Sequence, residues 1–232
     1  NQTTNIITRS LGIEEDTIMK DSFYDYLEFI NHIDLTRIFD IFSIFLKSSD
    51  LHTVSNELFV KIVYKSKNLK GITLTVLGLG KLSHKSVIET LKRKPVKLLR
   101  ILPILFDDDI IESYTTSEIM IRELISECKI DMLWIEEPLN IQSTNIMKLG
   151  VNDRSRGVIS GFSNLHELTF RDILFDRNFI LELRIPQVMI YTQGNFLEFY
   201  FTIKENPHVT SFVIEQDIKY SFIKSYIYFK TT

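Results

Sequence analysis

The stretch Leu165-His166-Glu167-Leu168-Thr169-Phe170 shows the pattern that decides the fold: one apolar residue, a second three positions later, and a third two positions after that. The pattern occurs nine times, at Leu69-Ile72-Leu74, Val96-Leu99-Ile101, Ile130-Leu133-Ile135, Ile146-Leu149-Val151, Leu165-Leu168-Phe170, Ile180-Leu183-Ile185, Phe196-Phe199-Phe201, Val209-Phe212-Ile214 and Ile223-Tyr226-Tyr228. Because side chains alternate along a strand, the last two apolar residues of each match face the same side of a sheet. A unit that recurs in this way is typical of stacked repeats. We therefore predict an α/β fold with parallel strands.

The N-terminal part of the chain, up to Lys67, shows helical rather than strand periodicity. Asp34 and Asp50 are acidic residues at candidate helix starts. The apolar residues that follow at helical spacing are Leu35, Ile38, Ile41, Phe42, Phe45 and Leu46 after the first, and Leu51, Val54, Leu58, Ile62 and Val63 after the second. A further match at Ile30-Ile33-Leu35 lies beside these helical signals and is not counted among the nine. We predict a helical N-terminal cap over residues 1–67 and a repeat domain over residues 68–232.

The spacing of the matches changes along the chain. The steps from Leu69 to Val96 and from Val96 to Ile130 are the longest, and they leave room for return helices at His84–Lys92 and Ser117–Glu127. Later steps, such as Leu165 to Ile180 and Val209 to Ile223, are shorter than the usual minimum of about 20 residues for a strand with its return segment. We therefore predict loop or extended chain behind the later strands, and a β-meander in the second half stays open as an alternative.

The repeated L-x-x-L-x-L pattern resembles the strand core of leucine-rich repeats over roughly Leu69 to Phe229. Those repeats carry another apolar residue four positions beyond the strand, where this chain has Leu79, Phe106, Phe175 and Ile190. The asparagine or cysteine of the regular classes is replaced by residues such as Leu77, Ile104, Ile173 and Val188. The chain is thus most similar to the irregular repeats of fungal F-box/leucine-rich-repeat proteins. The stretch Ile38–Val54 resembles an F-box helix and turn, without the Leu-Pro start of that motif.

The resemblance implies an irregular leucine-rich-repeat solenoid, which binds a protein partner on its concave sheet and is not an enzyme. It also implies substrate recognition for an F-box ubiquitin ligase, with an Skp1-type adaptor bound through sequence upstream of Asn1. The alternative is a scaffold subunit of a nucleic-acid-associated complex of the centromere type.

Composition and charge restrict the class of partner. The chain is 44% hydrophobic and 25% charged, which is typical of a globular protein. Its net charge of -3 supplies no general basic field, so we do not expect nucleic-acid binding, although a local basic patch stays open. Cys128 is the only cysteine, which excludes an internal disulfide and a cysteine-based zinc site. The sequence contains no membrane-length apolar stretch and no signal peptide, so we expect a cytoplasmic or nuclear location without membrane insertion.

No sequence motif predicts catalytic chemistry. Gly78–Ser83 lacks two positions that a phosphate loop needs, and Gly157–Gly161 has its serine one place too late for a nucleophile elbow. Asp107–Asp109 favours a helix start or solvated loop over a cation site. The five histidines are spread singly, without the spacing of metal ligands. We therefore expect no catalytic residues, no cofactor and no metal.

The repeat register predicts which side chains reach the exposed face of the sheet. The neighbours of the inward apolar residues are Arg100, Trp134, Glu136, Glu167, Thr169, Arg171, Glu182, Arg184, Glu198 and Tyr200. Tryptophan, tyrosine and arginine are enriched in binding hot spots. We therefore predict that these residues, apart from Thr169, bind the protein partner.

Charge along this surface adds a further expectation. Glu167, Glu182 and Glu198 hold the same position in three successive matches, so parallel strands would stack them about 4.8 Å apart. Either Arg171 and Arg184 neutralise them within the sheet, or a basic segment of the partner does so. The one basic cluster, Lys92-Arg93-Lys94 with Lys97 and Arg100, is explained as a helix end that complements the helix dipole.

Overall fold

A computed structural model describes residues 29–36, 44, 48–75, 82–102, 111–216 and 225–230. The chain divides into two compact units, 1–130 and 131–232, and both are α/β structures with parallel strands. The sequence predictions that fall outside the described residues concern most of the helix from Leu35 to Leu46, the Asp107–Asp109 run, most of Gly78–Ser83, Ile223, Leu77, Leu79, Ile104 and Phe106. The boundary predicted between residues 67 and 68 stays a prediction.

The first unit has three described strands and three described helices. The strands are β1 (His32–Asp34), β2 (Gly71–Thr75) and β3 (Leu98–Leu102), and the helices are α1 (Ser48–Lys65), α2 (His84–Arg93) and α3 (Ile111–Glu127). Strand β1 pairs in parallel with β2, and β2 pairs in parallel with β3. The predicted helices after Asp50, at His84–Lys92 and at Ser117–Glu127 are confirmed. The match at Ile30-Ile33-Leu35, which lies beside helical signals, contains strand β1, because pairing with β2 outweighs the helical periodicity around it.

The core of the first unit lies between its strands and helices. Its most deeply buried strand residues are Ile72, Leu74, Leu99 and Ile101, each no more than 1% exposed. Helices supply the other side of this core through Val54, Phe59, Val63, Val87, Leu91, Met120, Ile121 and Leu124. The predicted inward direction of the repeat residues is therefore confirmed here.

The described residues of the second unit form six strands of a sheet with short return segments. Its strands are β4 (Met132–Ile135), β5 (Lys148–Asn152), β6 (Glu167–Arg171), β7 (Gln187–Thr192), β8 (Ser211–Gln216) and β9 (Ser225–Lys230). Between them lie a 3-10 helix (Arg156–Gly161) and the helices α4 (Arg177–Glu182) and α5 (Phe196–Glu205). Strands β4 to β8 are parallel, and β9 runs antiparallel to β8. Register places Leu149, Leu168, Val188 and Phe212 side by side in one buried row.

The prediction that each match forms a strand is wrong for two of the nine matches. Ile180-Leu183-Ile185 covers the end of α4 and the loop after it, and Phe196-Phe199-Phe201 lies in α5. Helix α4 begins there because the Asp176 carboxylate accepts a hydrogen bond from the backbone N–H of Phe179 at 3.1 Å. Strand β7 instead carries the overlapping match Ile185-Val188-Ile190, which begins where the first of these matches ends.

The corrected register changes the spacing of the later repeats. The steps from Leu165 to Ile185 and from Ile185 to Val209 now reach the usual minimum length of about 20 residues. The loop or extended chain expected behind these strands is therefore wrong, because α4 and α5 occupy the return segments. The meander alternative holds only for β9, where Tyr226 and Tyr228 belong to a strand of reversed direction.

Two buried polar side chains satisfy backbone groups between neighbouring strands or helices. The hydroxyl of Ser155, which is fully buried, donates to the carbonyl oxygen of Ile135 at 2.6 Å. The Asn206 amide, only 3% exposed, donates to the carbonyl oxygens of Ile180 at 2.7 Å and Leu183 at 2.9 Å. These groups supply hydrogen bonds of the kind that an asparagine ladder supplies in regular repeats, from positions outside the L-x-x-L-x-L pattern.

Candidate functional site: the open face of the second unit

The open face of the second unit is the side of strands β4 to β8 opposite the buried rows. Its first feature is Trp134, the only tryptophan of the chain, which register pairs with Gly150. The six-membered ring of the indole lies over Gly150, since a methyl carbon there would approach Trp134 Cε3 to 2.1 Å. The indole N–H donates to Glu136 Oε1 at 2.9 Å. Glycine thus leaves space for a ring that is half-buried and held by a hydrogen bond.

An apolar row continues from Trp134 across the sheet. Register places Gly150 beside Thr169, Thr169 beside Met189, and Met189 beside Val213. Thr169 is only 4% exposed, although it belongs to the open face, whereas Met189 and Val213 are half-buried. The row is therefore buried at its centre, at Gly150 and Thr169, and carries more exposed apolar side chains on both sides.

Polar side chains border this row. On one side Lys148 lies opposite Glu167, and its ammonium contacts the Glu167 carboxylate at 2.6 Å. On the other side Arg171 lies beside Tyr191 in register, and the Tyr191 hydroxyl lies 3.0 Å from Met189 Sδ. An apolar centre within a polar rim is the usual composition of a protein-binding surface.

Part of the predicted surface lies on these strands. Trp134, Glu167 and Arg171 point to the open face of the second unit, and Glu136 follows β4 directly. Arg100 lies at the corresponding outward position of β3 in the first unit and is half-buried. Thr169 also belongs to the open face, where it is buried.

The other predicted residues lie on return segments. Glu182 belongs to α4, Arg184 follows it, and Glu198 and Tyr200 belong to α5. The predicted stack of Glu167, Glu182 and Glu198 is therefore wrong, because the last two are helical. Glu167 is balanced by Lys148 instead of by a row of arginines.

Two of the displaced residues line a cavity behind the sheet. The cavity measures about 570 Å³ and lies between the 3-10 helix and α4, with Glu182 and Arg184 in its lining. Arg156 lines it as well, contacts Asp176 at 3.4 Å, and stands 5.3 Å from the ring centroid of Phe179. These contacts hold the 3-10 helix against α4.

Sequence reasoning missed five residues that were described above on the open face: Lys148, Gly150, Met189, Tyr191 and Val213. The sequence does contain a pattern that predicts Met189 and Tyr191 on this face. The overlapping match Ile185-Val188-Ile190 directs both side chains outward. The signal for Gly150 was weaker, because a glycine within a strand marks close approach of another group without naming that group.

The candidate groups for chemistry that the structure describes do not form a reactive cluster. Within the described ranges, no group of three or more His, Cys, Asp and Glu residues could hold a metal ion. Burial raises the pKa of the Cys128 thiol, which lies 3.7 Å from the carbonyl oxygen of Ile88. The hydroxyl of Ser160, in the Gly157–Gly161 stretch, donates to the Gly157 carbonyl oxygen at 3.0 Å. The open face can therefore offer contact area and hydrogen bonds.

Comparison with known proteins adds no further assignment. No protein-family profile, curated protein or solved structure matches this chain. Of the helices that the structure describes, none is long and apolar enough to cross a membrane.

Proposed function

We propose that this chain is a non-enzymatic protein-interaction domain that binds a protein partner on the open face of the second unit. The observation that carries the proposal is the seating of the Trp134 ring over Gly150. A tryptophan that is half-buried before binding loses little conformational freedom when a partner covers it. Its row of apolar neighbours, with Lys148, Glu167 and Arg171 at the rim, supplies the surroundings in which such an anchor contributes most to affinity.

The repeat type is part of the same proposal. We infer an irregular leucine-rich-repeat solenoid with a helical N-terminal cap that includes α1. The steps from Leu165 to Ile185 and on to Val209 support this, since both reach the usual minimum of about 20 residues for such repeats. By resemblance to fungal F-box/leucine-rich-repeat proteins, the partner would be a substrate of a ubiquitin ligase in the cytoplasm or nucleus.

The test compares proteins recovered by affinity purification of the full-length chain in three forms. These are the unmodified chain, Trp134→Ala, and Phe201→Ala, which removes an aromatic ring that is 58% exposed on α5. We expect Trp134→Ala to fold and to lose its protein partners, whereas Phe201→Ala retains them. Equal recovery of partner proteins with all three forms would overturn the assignment of the open face as the binding surface. If Trp134→Ala unfolds, Trp134 belongs to the core and the two faces of the sheet are assigned the wrong way round.

A separate readout addresses the ubiquitin-ligase assignment. An Skp1-type adaptor would bind outside the open face, so we expect its recovery with both the unmodified chain and Trp134→Ala. If the adaptor is absent from every purification while the recovery of other partners depends on Trp134, the protein-interaction function is supported and the F-box assignment is overturned.

A further inference from the structure

The first unit carries a concentration of positive charge that the sequence distributes over two distant segments. Residues 64–70 (YKSKNLK) and 92–97 (KRKPVK) contain no Asp or Glu. The first runs from the last residues of α1 to the start of β2, and the second runs from the last residues of α2 to the start of β3. Both therefore lie at the edge where the two helices end and the two strands begin. We call Lys65, Lys67, Lys70, Arg93, Lys94 and Lys97 the basic edge.

Hydrogen bonds between the two segments establish that they are neighbours. The Lys94 ammonium donates to the carbonyl oxygens of Ser66 at 2.5 Å and Tyr64 at 3.4 Å. The backbone N–H of Lys97 donates to the carbonyl oxygen of Lys70 at 2.7 Å. Since Gly71 pairs with Leu98, Lys70 and Lys97 stand at equivalent positions directly before adjacent strands, about 4.8 Å apart in the backbone.

Most of this charge has no acidic partner among the described residues of the unit. The described part of the chain shows no ion pair to Lys65, Lys70, Arg93 or Lys97, and all four are exposed. Lys92 is different because it pairs with Glu127. Exposed like charges on adjacent strands destabilise the sheet, and a polyanion that covers them would relieve this repulsion.

An exposed aromatic residue precedes the first of these cations in the chain. Tyr64 is 43% exposed, and it directly precedes Lys65 at the end of α1. The aliphatic residues of the same two segments, Leu69 and Val96, are 7% and 2% exposed, so they are not available to enter a lipid bilayer. Cations that track a phosphate backbone, together with an aromatic ring that stacks on a base, are how proteins hold single-stranded nucleic acid.

We propose that the basic edge binds single-stranded nucleic acid, with the backbone phosphates on Lys65, Lys70, Arg93 and Lys97 and a base stacked on Tyr64. This activity belongs to the first unit and does not depend on the protein-interaction function proposed for the second. The net charge of -3 does not oppose it, because binding responds to the local field within about a Debye length, roughly 8 Å at physiological salt.

The test measures fluorescence anisotropy of a labelled oligothymidine of about 20 nucleotides with the full-length chain, at salt concentrations from about 50 to 200 mM. The key variant is Lys97→Glu and the matched control is Lys85→Glu. Lys85 is exposed at the other end of α2, so both variants change the net charge equally. We expect Lys97→Glu to weaken binding and to reduce the salt slope by about 0.7 for the lost phosphate contact, while Lys85→Glu binds like the unmodified chain.

A second pair of variants tests the stacking contact. Tyr64→Ala should weaken binding about tenfold because base stacking is lost, and Tyr64→Phe should retain the affinity because the ring remains. Circular dichroism checks that each variant folds. The proposal is overturned if the unmodified chain fails to bind oligothymidine at low salt, or if Lys97→Glu and Lys85→Glu bind alike. It is also overturned if polyglutamate or phosphatidylserine vesicles bind more tightly than the oligonucleotide.

Discussion

Each unit places a ring on its first described strand over a glycine on the next strand, but the two rings differ in chemistry. In the second unit Trp134 lies over Gly150. In the first, His32 lies over Gly71, where a methyl carbon would approach His32 Nδ1 to 2.3 Å. His32 Nε2 is also 2.7 Å from Thr73 Oγ1. The same backbone arrangement therefore presents a polar ring in one unit and an apolar ring in the other.

The two rings also differ in their hydrogen-bond partners and in their exposure. The His32 ring contacts Thr73 on the neighbouring strand, and the residue stays exposed. Trp134 bonds instead to Glu136, two residues further along the chain, and is half-buried. In both units the glycine leaves space for a ring from the neighbouring strand. The type of ring and its hydrogen-bond partner determine whether the resulting surface is polar or apolar.

The largest predicted effect tests the core beneath the Trp134 surface. Leu168→Ala truncates a fully buried residue of the second unit, so we expect a loss of about 2 to 5 kcal/mol in the free energy of unfolding. Urea denaturation followed by circular dichroism measures it. The matched control is Leu174→Ala at a site that is 71% exposed, where we expect almost no change. Similar losses at both positions would contradict the burial of Leu168 beneath the sheet.

The next effect separates the two glycines. Gly150→Ala drives a methyl group into the Trp134 ring, and we expect a cost of about 1 to 3 kcal/mol in stability, as for overpacking in a core. Gly71→Ala should cost less, because the exposed His32 side chain can move away. Since Trp134 is the only tryptophan, a red shift of its fluorescence in Gly150→Ala reports the displaced ring directly.

Gly157→Ala is the control for that pair, because a methyl group there meets nothing within 4 Å. It should leave the fluorescence unchanged. If Gly150→Ala leaves the emission and the stability as they are, the ring does not lie on that glycine.

A smaller effect concerns the anchor of the histidine. Thr73→Val removes the hydroxyl that contacts His32 and keeps the shape of the side chain, so we expect a loss of about 0.5 to 1.5 kcal/mol. The combination with His32→Ala in a double-mutant cycle isolates the contact from other effects of each substitution. Strict additivity of the two losses would show that the hydrogen bond contributes nothing.

The smallest effect concerns the rim of the open face. Lys148 and Glu167 form an ion pair with side chains that are 49% and 22% exposed. A double-mutant cycle with Lys148→Ala and Glu167→Ala should give a coupling of about 0.2 to 1 kcal/mol, which falls as salt is added. Coupling that does not respond to salt would show that the pair is more deeply buried than the structure indicates.

Sequence periodicity predicts the strands where burial on one face is the only constraint. The inward direction predicted for Leu168 and Phe170 is confirmed, because both are fully buried strand residues. Trp134 lies on the open face because its neighbours Leu133 and Ile135 face the core. Between Ile180 and Ile190 two overlapping matches share Ile185. Spacing cannot choose between them, since apolar residues three apart also lie on one face of a helix.

The choice there depends on contacts between distant residues. Asp176 begins α4 through a side-chain hydrogen bond, and Asn206 reaches back 26 residues to the Ile180 carbonyl oxygen. The sequence shows only half of the basic edge, the cluster at Lys92–Lys97, because its neighbour across the hydrogen bond from Lys94 to Ser66 lies 28 residues away. The spacing of apolar residues indicates whether a single residue is buried or exposed. It does not indicate which distant residue will contact it, and both features depend on such contacts.

The hydrogen bonds of Ser155 and Asn206 also bear on how the second unit folds. Each side chain satisfies carbonyl groups of the preceding strand or helix, so a repeat that formed alone would leave buried polar atoms unpaired. This penalty disfavours partly assembled states and raises the cooperativity of folding. We therefore expect the second unit to unfold in one transition, unlike arrays in which terminal repeats fray independently.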